Sequence, residues 1–417
     1  MSTSTNQQSD NFFGSLSPFR LTAKFGSPLY VYREDQLRKS CRSMLSLLKQ
    51  PLVTVNYSIK ANNNPVLLRI IREEGLHCDA MSPGEIYLAL RAGFKPEEIF
   101  YISNNATDAE FIYAAEHGII TSVDSLDQLE LYGKLLPGCK VALRINTGIG
   151  AGHHAKVVTG GKNSKFGLQL SELEQAQKVA ERCNLAVTGL NQHIGSLFLS
   201  STDYLAAVER LLALAEDFTD LEFLDFGGGF GIPYRPDLGE TELDLTDLSH
   251  RLNELLTDWR NRHQRNLRLM IEPGRYITAR AGVLVGKITS VKAGTDHHWV
   301  GTDLGFNNFQ RSVLYDSYHR INVIRSSKKQ SSGIEVSCVF TGNICESGDL
   351  LSQVISCALP AAGDLTVLAD TGAYGFAMSS SYNGRLRPAE ILISNKGSVR
   401  LIREREKPED LLRGCRL

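Results

Sequence analysis

The chain of 417 residues has almost no net charge, and it lacks long apolar runs and a recognisable targeting segment. Its 45 basic and 46 acidic residues give a formal net charge of −1, which offers no electrostatic footprint for nucleic acid or an anionic membrane. No apolar run approaches the length that spans a bilayer. The N-terminal segment MSTSTNQQSDNFFGSL lacks the basic and apolar regions of a signal or transit peptide. We therefore expect no nucleic-acid partner and no membrane association.

Paired cysteines are also missing. The eight cysteines, at positions 41, 78, 139, 183, 338, 345, 357 and 415, include no Cys-x-x-Cys pair. This scatter disfavours structural zinc and a disulfide framework, so no residue is assigned to a metal. We expect a reducing, cytoplasmic location.

What the chain does have is a regular alternation of strand and helix patterns between about residues 50 and 275. Between the strands lie longer segments with apolar residues at helical spacing. Such alternation predicts parallel pairing, and eight units predict a closed (β/α)8 TIM barrel. The predicted strands are 52–59, 77–81, 99–103, 119–123, 140–145, 186–193, 222–226 and 267–272.

The pattern changes after about residue 280, where β-rich segments are joined by turn-rich connections. This predicts an α/β fold with a TIM barrel and a mainly antiparallel β C-terminal domain. Ser27–Arg33 is also strand-like and is expected to join the later sheet. We therefore predict a tail and strand over 1–33, a barrel over 34–278 and a β-rich domain over 279–417.

Polar residues stand at the C-terminal tips of the predicted barrel strands. In a (β/α)8 barrel these tips line one mouth, which carries the active site. For any single tip the alternative is a cap or turn residue, but the recurrence at every strand favours a site. The tips are Lys60, Asp79, Asn104, Asp124, Arg144 with Asn146, His193, Gly227–Gly229 and Glu272.

Lys60, in the segment YSIKAN, is the first candidate catalytic residue. A lysine held at a strand end, with a pKa that its environment can lower, suits Schiff-base chemistry with a carbonyl cofactor. A snorkelling surface lysine is the alternative.

Three further barrel segments suit an anionic, planar cofactor. Gly227–Gly231 (GGGFG) follows the seventh strand, where phosphate sites recur in barrels. Glu272 can accept a hydrogen bond from a protonated ring nitrogen, unless it pairs with Arg275 across the turn. His193 can stack on a ring or act as a base, unless it is a buried structural histidine.

Two segments of the second domain carry further candidates. Cys345–Asp349 (CESGD) places a thiol beside a carboxylate, an arrangement suited to proton donation or substrate contact. The alternative is a buried, inert cysteine. Asp370–Asn383 is a glycine- and hydroxyl-rich segment that offers uncharged donors, or is simply a long structured turn.

Together these segments resemble the fold-type III, alanine racemase-like pyridoxal-phosphate decarboxylases, from about Leu29 to Arg403. The matching motifs are YSIKAN, KNSKFG (162–167), HIGS, GGGFG, EPGR, CESGD and GAYGFAMSSSYN. The resemblance implies pyridoxal 5′-phosphate as cofactor, with Lys60 forming the Schiff base, His193 stacking on the ring and Glu272 pairing with the ring nitrogen. It assigns phosphate binding to Gly228, Gly229, Gly274, Arg275 and Tyr374.

The same resemblance assigns the substrate and the partner. Substrate-binding positions match Arg275, Arg311, Tyr315, Glu346 and Tyr374, and Cys345 matches the catalytic cysteine. In the family this cysteine and Glu346 reach into the partner's site, which implies a homodimer with shared active sites. The chain departs from the family in reading NFQRSVLY around Arg311 in place of a pattern closer to IRPALY, and in carrying Asn343 where proline is common.

Within the family the chain is most similar to decarboxylases that convert meso-2,6-diaminopimelate to L-lysine and CO₂. An arginine, Arg275 or Arg311, for the distal carboxylate and Glu346 for the distal amine favour this small-molecule amino-acid substrate. The alternatives are a related decarboxylase of ornithine, lysine or another specialised amino acid, a racemase, and an inactive homologue.

Overall fold

A computed structural model describes residues 12–152, 160–161, 164–326 and 334–416. The N-terminal part of the predicted tail and two residues of the KNSKFG motif, Lys162 and Asn163, lie outside these ranges. The strands are β1 Leu29–Arg33, β2 Val53–Ser58, β3 His77–Ala80, β4 Ile99–Ile102, β5 Ile120–Val123, β6 Lys140–Arg144, β7 Ala151–Gly152, β8 Ala186–Asn191, β9 Gly195–Ser196, β10 Phe223–Asp225, β11 Arg268–Ile271, β12 Gly282–Ala293, β13 His298–Thr302, β14 Ile321–Ile324, β15 Glu335–Thr341, β16 Ile355–Ala358, β17 Leu365–Leu368, β18 Ala389–Ile393 and β19 Val399–Arg403. The helices are α1 Pro18–Phe25, α2 Glu34–Leu45, α3 Pro65–Glu73, α4 Pro83–Ala92, α5 Asp108–Glu116, α6 Leu126–Leu135, α7 Leu173–Arg182, α8 Thr202–Leu214, α9 Leu245–His263, α10 Arg275–Thr278 and α11 Arg311–Leu314.

Two compact units make up the chain: Arg38–Ile277, and Met1–Leu37 together with Thr278–Leu417. In the first unit β2, β3, β4, β5, β6, β8, β10 and β11 pair in parallel and close into a barrel, with β11 beside β2. The predicted barrel is confirmed. Because all strands run the same way, their C-terminal tips lie at one mouth.

The barrel helices begin where the sequence supplies caps. At α3 the side chain of Asn64 accepts from the N–H of Val66, and Pro65 occupies a position that needs no donor. The helix then buries four apolar side chains, Leu67, Leu68, Ile70 and Ile71. Inside the barrel an apolar cluster fills the centre, formed by Phe100, Ile102, Ala142, Phe223 and Met270. A packed interior leaves the mouth as the place for a binding site.

The second unit contains a nine-stranded sheet, in the order β16-β15-β13-β12-β1-β18-β19, with β17 pairing with both β12 and β14. Its pairs are antiparallel except β1 with β18 and β13 with β15, so the mainly antiparallel domain is confirmed. β1 lies between β12 and β18, with Val31 opposite Val283 and Ile391. These three valine and isoleucine side chains belong to the unit's buried core.

Across the described ranges, no helix has both the length and the apolar character needed to cross a membrane.

Candidate active site

Lys60 lies at the barrel mouth, in a 3-10 turn (Ile59–Ala61) that directly follows β2. The strand end is fixed to its neighbour β11, because the Ser58 N–H donates to the carbonyl of Pro273 and its hydroxyl to the carbonyl of Glu272, at 3.3 and 3.2 Å. Both residues that flank Lys60 in the turn are buried. The lysine is therefore held by its backbone at the predicted position.

Three buried carboxyl groups surround the same mouth, those of Asp79, Asp225 and Glu272. Burial raises the pKa of all three, and that of Asp225 reaches about 7. The neighbouring carboxyls Asp225 and Asp79 raise the pKa of Glu272 further, whereas the charge of Lys60 lowers that of Asp79. Neighbouring buried carboxyls cannot all ionise together, so they retain protons at a pH where an isolated carboxyl would be ionised.

Glu272 fits a cofactor with a protonated ring nitrogen. Its Oε1 atom is buried and has no hydrogen-bond partner among the described residues. Its other oxygen lies 4.0 Å from Nδ1 of His193. A buried carboxylate oxygen is normally hydrogen-bonded, and the N–H of a protonated pyridine supplies the donor that such an atom needs.

His193 follows β8 and presents a neutral imidazole. The N–H of Gly228 donates to its Nδ1 at 3.1 Å, so the ring proton is assigned to Nε2. Burial, together with the charges of Lys60 and Arg144, lowers the pKa of His193 well below its usual value. An uncharged ring in a fixed orientation suits stacking against a flat cofactor better than it suits a cationic role.

The Gly227–Gly229 segment fits an anion at close range. Gly227 and Gly229 have φ values of +72° and +103°, which side chains rarely adopt. A Cβ on Gly228 would lie 2.0 Å from the carbonyl oxygen of Glu272, and one on Gly229 2.5 Å from that of Gly195. Backbone packed this closely presents N–H groups without side-chain obstruction, as phosphate cradles require.

We expect Gly228→Ala to weaken cofactor binding about ten-fold or more, because the added carbon forces the cradle away from Glu272. The measurement is a spectroscopic titration of apoprotein with pyridoxal 5′-phosphate, beside a thermal melt. Gly84→Ala is the matched control, because its nearest contact would be a Ser82 hydroxyl at 3.7 Å. Equal affinities in the two variants would show that the segment is not the cradle.

Arg275 begins α10 and is buried, with 4% of its surface exposed. Its guanidinium donates to the hydroxyls of Tyr234 at 3.1 Å and Ser196 at 2.9 Å. Gly274 precedes it, and the Gly274 carbonyl accepts from the N–H of Ile277. These two hydroxyl groups orient the Arg275 guanidinium, a group suited to binding an anion.

Two more buried charged residues lie at this mouth: Arg144, predicted only as a strand-tip residue, and Asp225, which was not predicted. Asp225 ends β10 and Arg144 ends β6, where its guanidinium lies 4.6 Å from the ring centroid of Phe166. Each interrupts an apolar strand, in EFLDF and VALRI respectively. A charged residue within an apolar strand was the sequence signal that could have identified them as site residues.

In the second unit, Arg311 lies with two of its predicted co-ligands. It is 2% exposed, and its guanidinium carbon lies 5.6 Å from the ring centroids of both Tyr315 and Tyr374. Its Nη2 donates to the Ser317 hydroxyl at 3.2 Å. An arginine between aromatic faces is held in one plane, the geometry in which it binds a carboxylate with two parallel hydrogen bonds.

Cys345 and Glu346 are exposed on a turn that the Asp370–Asn383 segment holds in place. The Cys345 N–H donates to the Asn383 side chain at 2.8 Å, and the Tyr382 hydroxyl to the Glu346 carboxylate at 2.5 Å. The exposure of Cys345 excludes the alternative of a buried, inert cysteine. The thiol is accessible on a turn of fixed conformation.

Comparison with known proteins identifies the family of this chain. The family model described as pyridoxal-dependent decarboxylase, pyridoxal binding domain, matches residues 34–279. A diaminopimelate decarboxylase of Methanothermobacter thermautotrophicus is 37% identical over 419 residues, covering 98% of this chain and 96% of the relative. A crystal structure of a diaminopimelate decarboxylase superimposes with a TM-score of 0.85 at 36% identity, covering 94% of each chain. The crystal structure of the Helicobacter pylori diaminopimelate decarboxylase complexed with L-lysine superimposes with a TM-score of 0.86 at 28% identity, covering 95% of this chain and 98% of that one.

The matched region includes the barrel with Lys60, His193 and Glu272, and the full-length relatives extend through the β-rich unit. The family model thus indicates pyridoxal phosphate as the cofactor of this chain. The chain belongs to the pyridoxal-dependent decarboxylases, within the diaminopimelate decarboxylase family.

Proposed function

We propose that this chain decarboxylates meso-2,6-diaminopimelate to L-lysine and CO₂. The observation that supports this substrate is Arg311, a buried cation between two tyrosine rings; the exposed carboxylate of Glu346 supplies a group of opposite charge. A substrate with an amine and a carboxylate at its far end needs one group of each sign.

Bound pyridoxal phosphate supplies an electron sink for the electron pair that remains on the α-carbon when CO₂ leaves. We assign the covalent attachment of the cofactor to Lys60. Glu272 would pair with its ring nitrogen, and His193 would stack against its ring. Gly228, Gly229, Gly274, Arg275 and Tyr374 are the residues assigned to its phosphate. The cradle and the unpartnered Glu272 oxygen support these assignments.

The buried carboxyls Asp79 and Glu272 are assigned to proton transfer around Lys60. Asp79 is fully buried, and burial raises the pKa of its carboxyl above the usual value although the Lys60 charge lowers it in part. Asp79 is therefore suited to hold the proton that the lysine amine must release before it can act as a nucleophile. Glu272, whose pKa burial also raises, is suited to exchange a proton with the ring nitrogen.

At the substrate end, Arg311 and Arg275 bind carboxylate, Glu346 binds the distal amine, and Tyr315 and Tyr374 flank them. Cys345 donates the proton from Sγ that replaces CO₂ on the α-carbon. Cys345 and Glu346 serve the active site of the partner subunit in a homodimer. Their exposure on a turn of fixed conformation supports this assignment.

A substrate panel tests the proposal. With meso-diaminopimelate, ornithine and lysine supplied in turn, we expect CO₂ release with a kcat/KM for diaminopimelate about ten-thousand-fold above the others, because buried charges without partners disfavour the wrong substrates. Identification of the product as L-lysine completes the assay. Activity confined to ornithine or lysine would replace the proposed substrate with the alternative one.

A further inference from the structure

His319 is a buried histidine that lies directly behind Arg311 and has no role in the reaction described above. It is 3% exposed. Its Nδ1 atom lies 2.9 Å from the carbonyl oxygen of Ala369. Because a carbonyl only accepts, Nδ1 carries the ring proton and Nε2 presents its lone pair.

That lone pair faces Arg311. The Arg311 Nε–H donates to Nε2 of His319 at 3.5 Å, and its Nη2–H donates to Ser317. Both of these acceptors are uncharged. These two neutral acceptors hold the guanidinium in one plane, the geometry in which it binds a carboxylate with two parallel hydrogen bonds.

The histidine itself is fixed by the fold. The Phe309 ring packs edge-on against it, with centroids 4.6 Å apart and an interplanar angle of 83°. The backbone beside it is tied to the end of β17, since the Ala369 N–H donates to the Arg320 carbonyl at 2.9 Å. His319 therefore connects Arg311, in α11, to the C-terminal end of β17. The Asp370–Asn383 segment, which contains Tyr374, follows this end.

We propose that His319 is a positioning residue that sets the Arg311 guanidinium for the carboxylate on the retained end of the substrate, and so determines specificity for an amino acid over a diamine. The inference rests on the proposed role of Arg311. It predicts that His319 acts only on ligands that carry this carboxylate.

L-lysine and cadaverine (1,5-diaminopentane) form a matched ligand pair, because they differ only in that carboxylate. Their dissociation constants are measured on the pyridoxal-phosphate-loaded protein by competition or calorimetry. In wild type we expect lysine to bind more tightly than cadaverine. The His319→Asn variant retains a donor for the Ala369 carbonyl but lacks an acceptor that reaches Arg311. We expect it to raise the dissociation constant of lysine about ten-fold and to change that of cadaverine by no more than about two-fold.

His319→Gln places an amide oxygen where Nε2 lies, so we expect it to restore most of the lysine affinity. With meso-diaminopimelate the asparagine variant should raise KM with little change in kcat. The double variant His319→Asn/Arg311→Met should bind lysine no more weakly than Arg311→Met alone, since the histidine acts through the arginine.

The possible outcomes distinguish failure of this inference from failure of the proposed role of Arg311. If Arg311→Met weakens lysine binding more than cadaverine binding and His319→Asn does not, His319 is not a positioning residue. If His319→Asn weakens both ligands equally, or glutamine fails to restore lysine binding, the histidine is only structural and the inference is overturned. If Arg311→Met leaves lysine binding unchanged, the assignment of Arg311 fails and the inference fails with it.

Discussion

Lys60→Ala is expected to remove the covalent link to pyridoxal phosphate and to lower decarboxylation by about a thousand-fold or more, as loss of a catalytic nucleophile does. The turn that follows β2 holds this amine at the barrel mouth. No other residue was assigned to this attachment. The remaining contacts, Glu272 and the glycine cradle, should still bind the cofactor non-covalently.

Borohydride reduction followed by peptide mass analysis measures the link directly. Wild-type protein should carry reduced cofactor on the peptide that contains Lys60, and the variant on no peptide. Lys39→Ala, at an exposed position of α2, is the matched control and should behave as wild type. Cofactor found on another lysine, or a visible spectrum unchanged by Lys60→Ala, would contradict the assignment.

The barrel was predictable because each of its strands is a short apolar run with a polar residue at its end. β2 and β11, for example, lie within the predicted runs 52–59 and 267–272, one residue shorter at each end. The runs are apolar because both faces of a parallel barrel strand are buried. The positions where strands stop are less visible, since terminal residues such as Glu272 are also buried.

The candidate site was predictable where chemistry needs a particular residue type. Lys60, Glu272 and Cys345 are of this kind. Asp225 was missed because its importance comes from burial beside another carboxyl, and strand pairing creates that proximity. His319 was missed for a related reason: its bond to Arg311 depends on the packing of β14 against β17, which no local pattern encodes.

Cys345→Ala is expected to lower kcat by about a hundred- to ten-thousand-fold, the range for a lost general acid, while the cofactor spectrum is retained. The thiol is exposed and makes its described contact through its backbone N–H, so the substitution should not perturb folding. Cys415→Ala, at the other exposed cysteine, should keep full activity. An active Cys345→Ala protein would remove the thiol from the reaction and leave Lys60 as the proton donor.

Mixing the two inactive variants tests whether subunits share active sites. If Cys345 serves the partner's site, a dimer of one Lys60→Ala and one Cys345→Ala subunit has both defects in one site and none in the other. Random mixing makes about half of the dimers of this kind, so roughly a quarter of wild-type activity should return. If each site used its own Cys345, every site of the mixed dimer would carry one defect. Mixing would then restore nothing, although size measurements show that mixed dimers form.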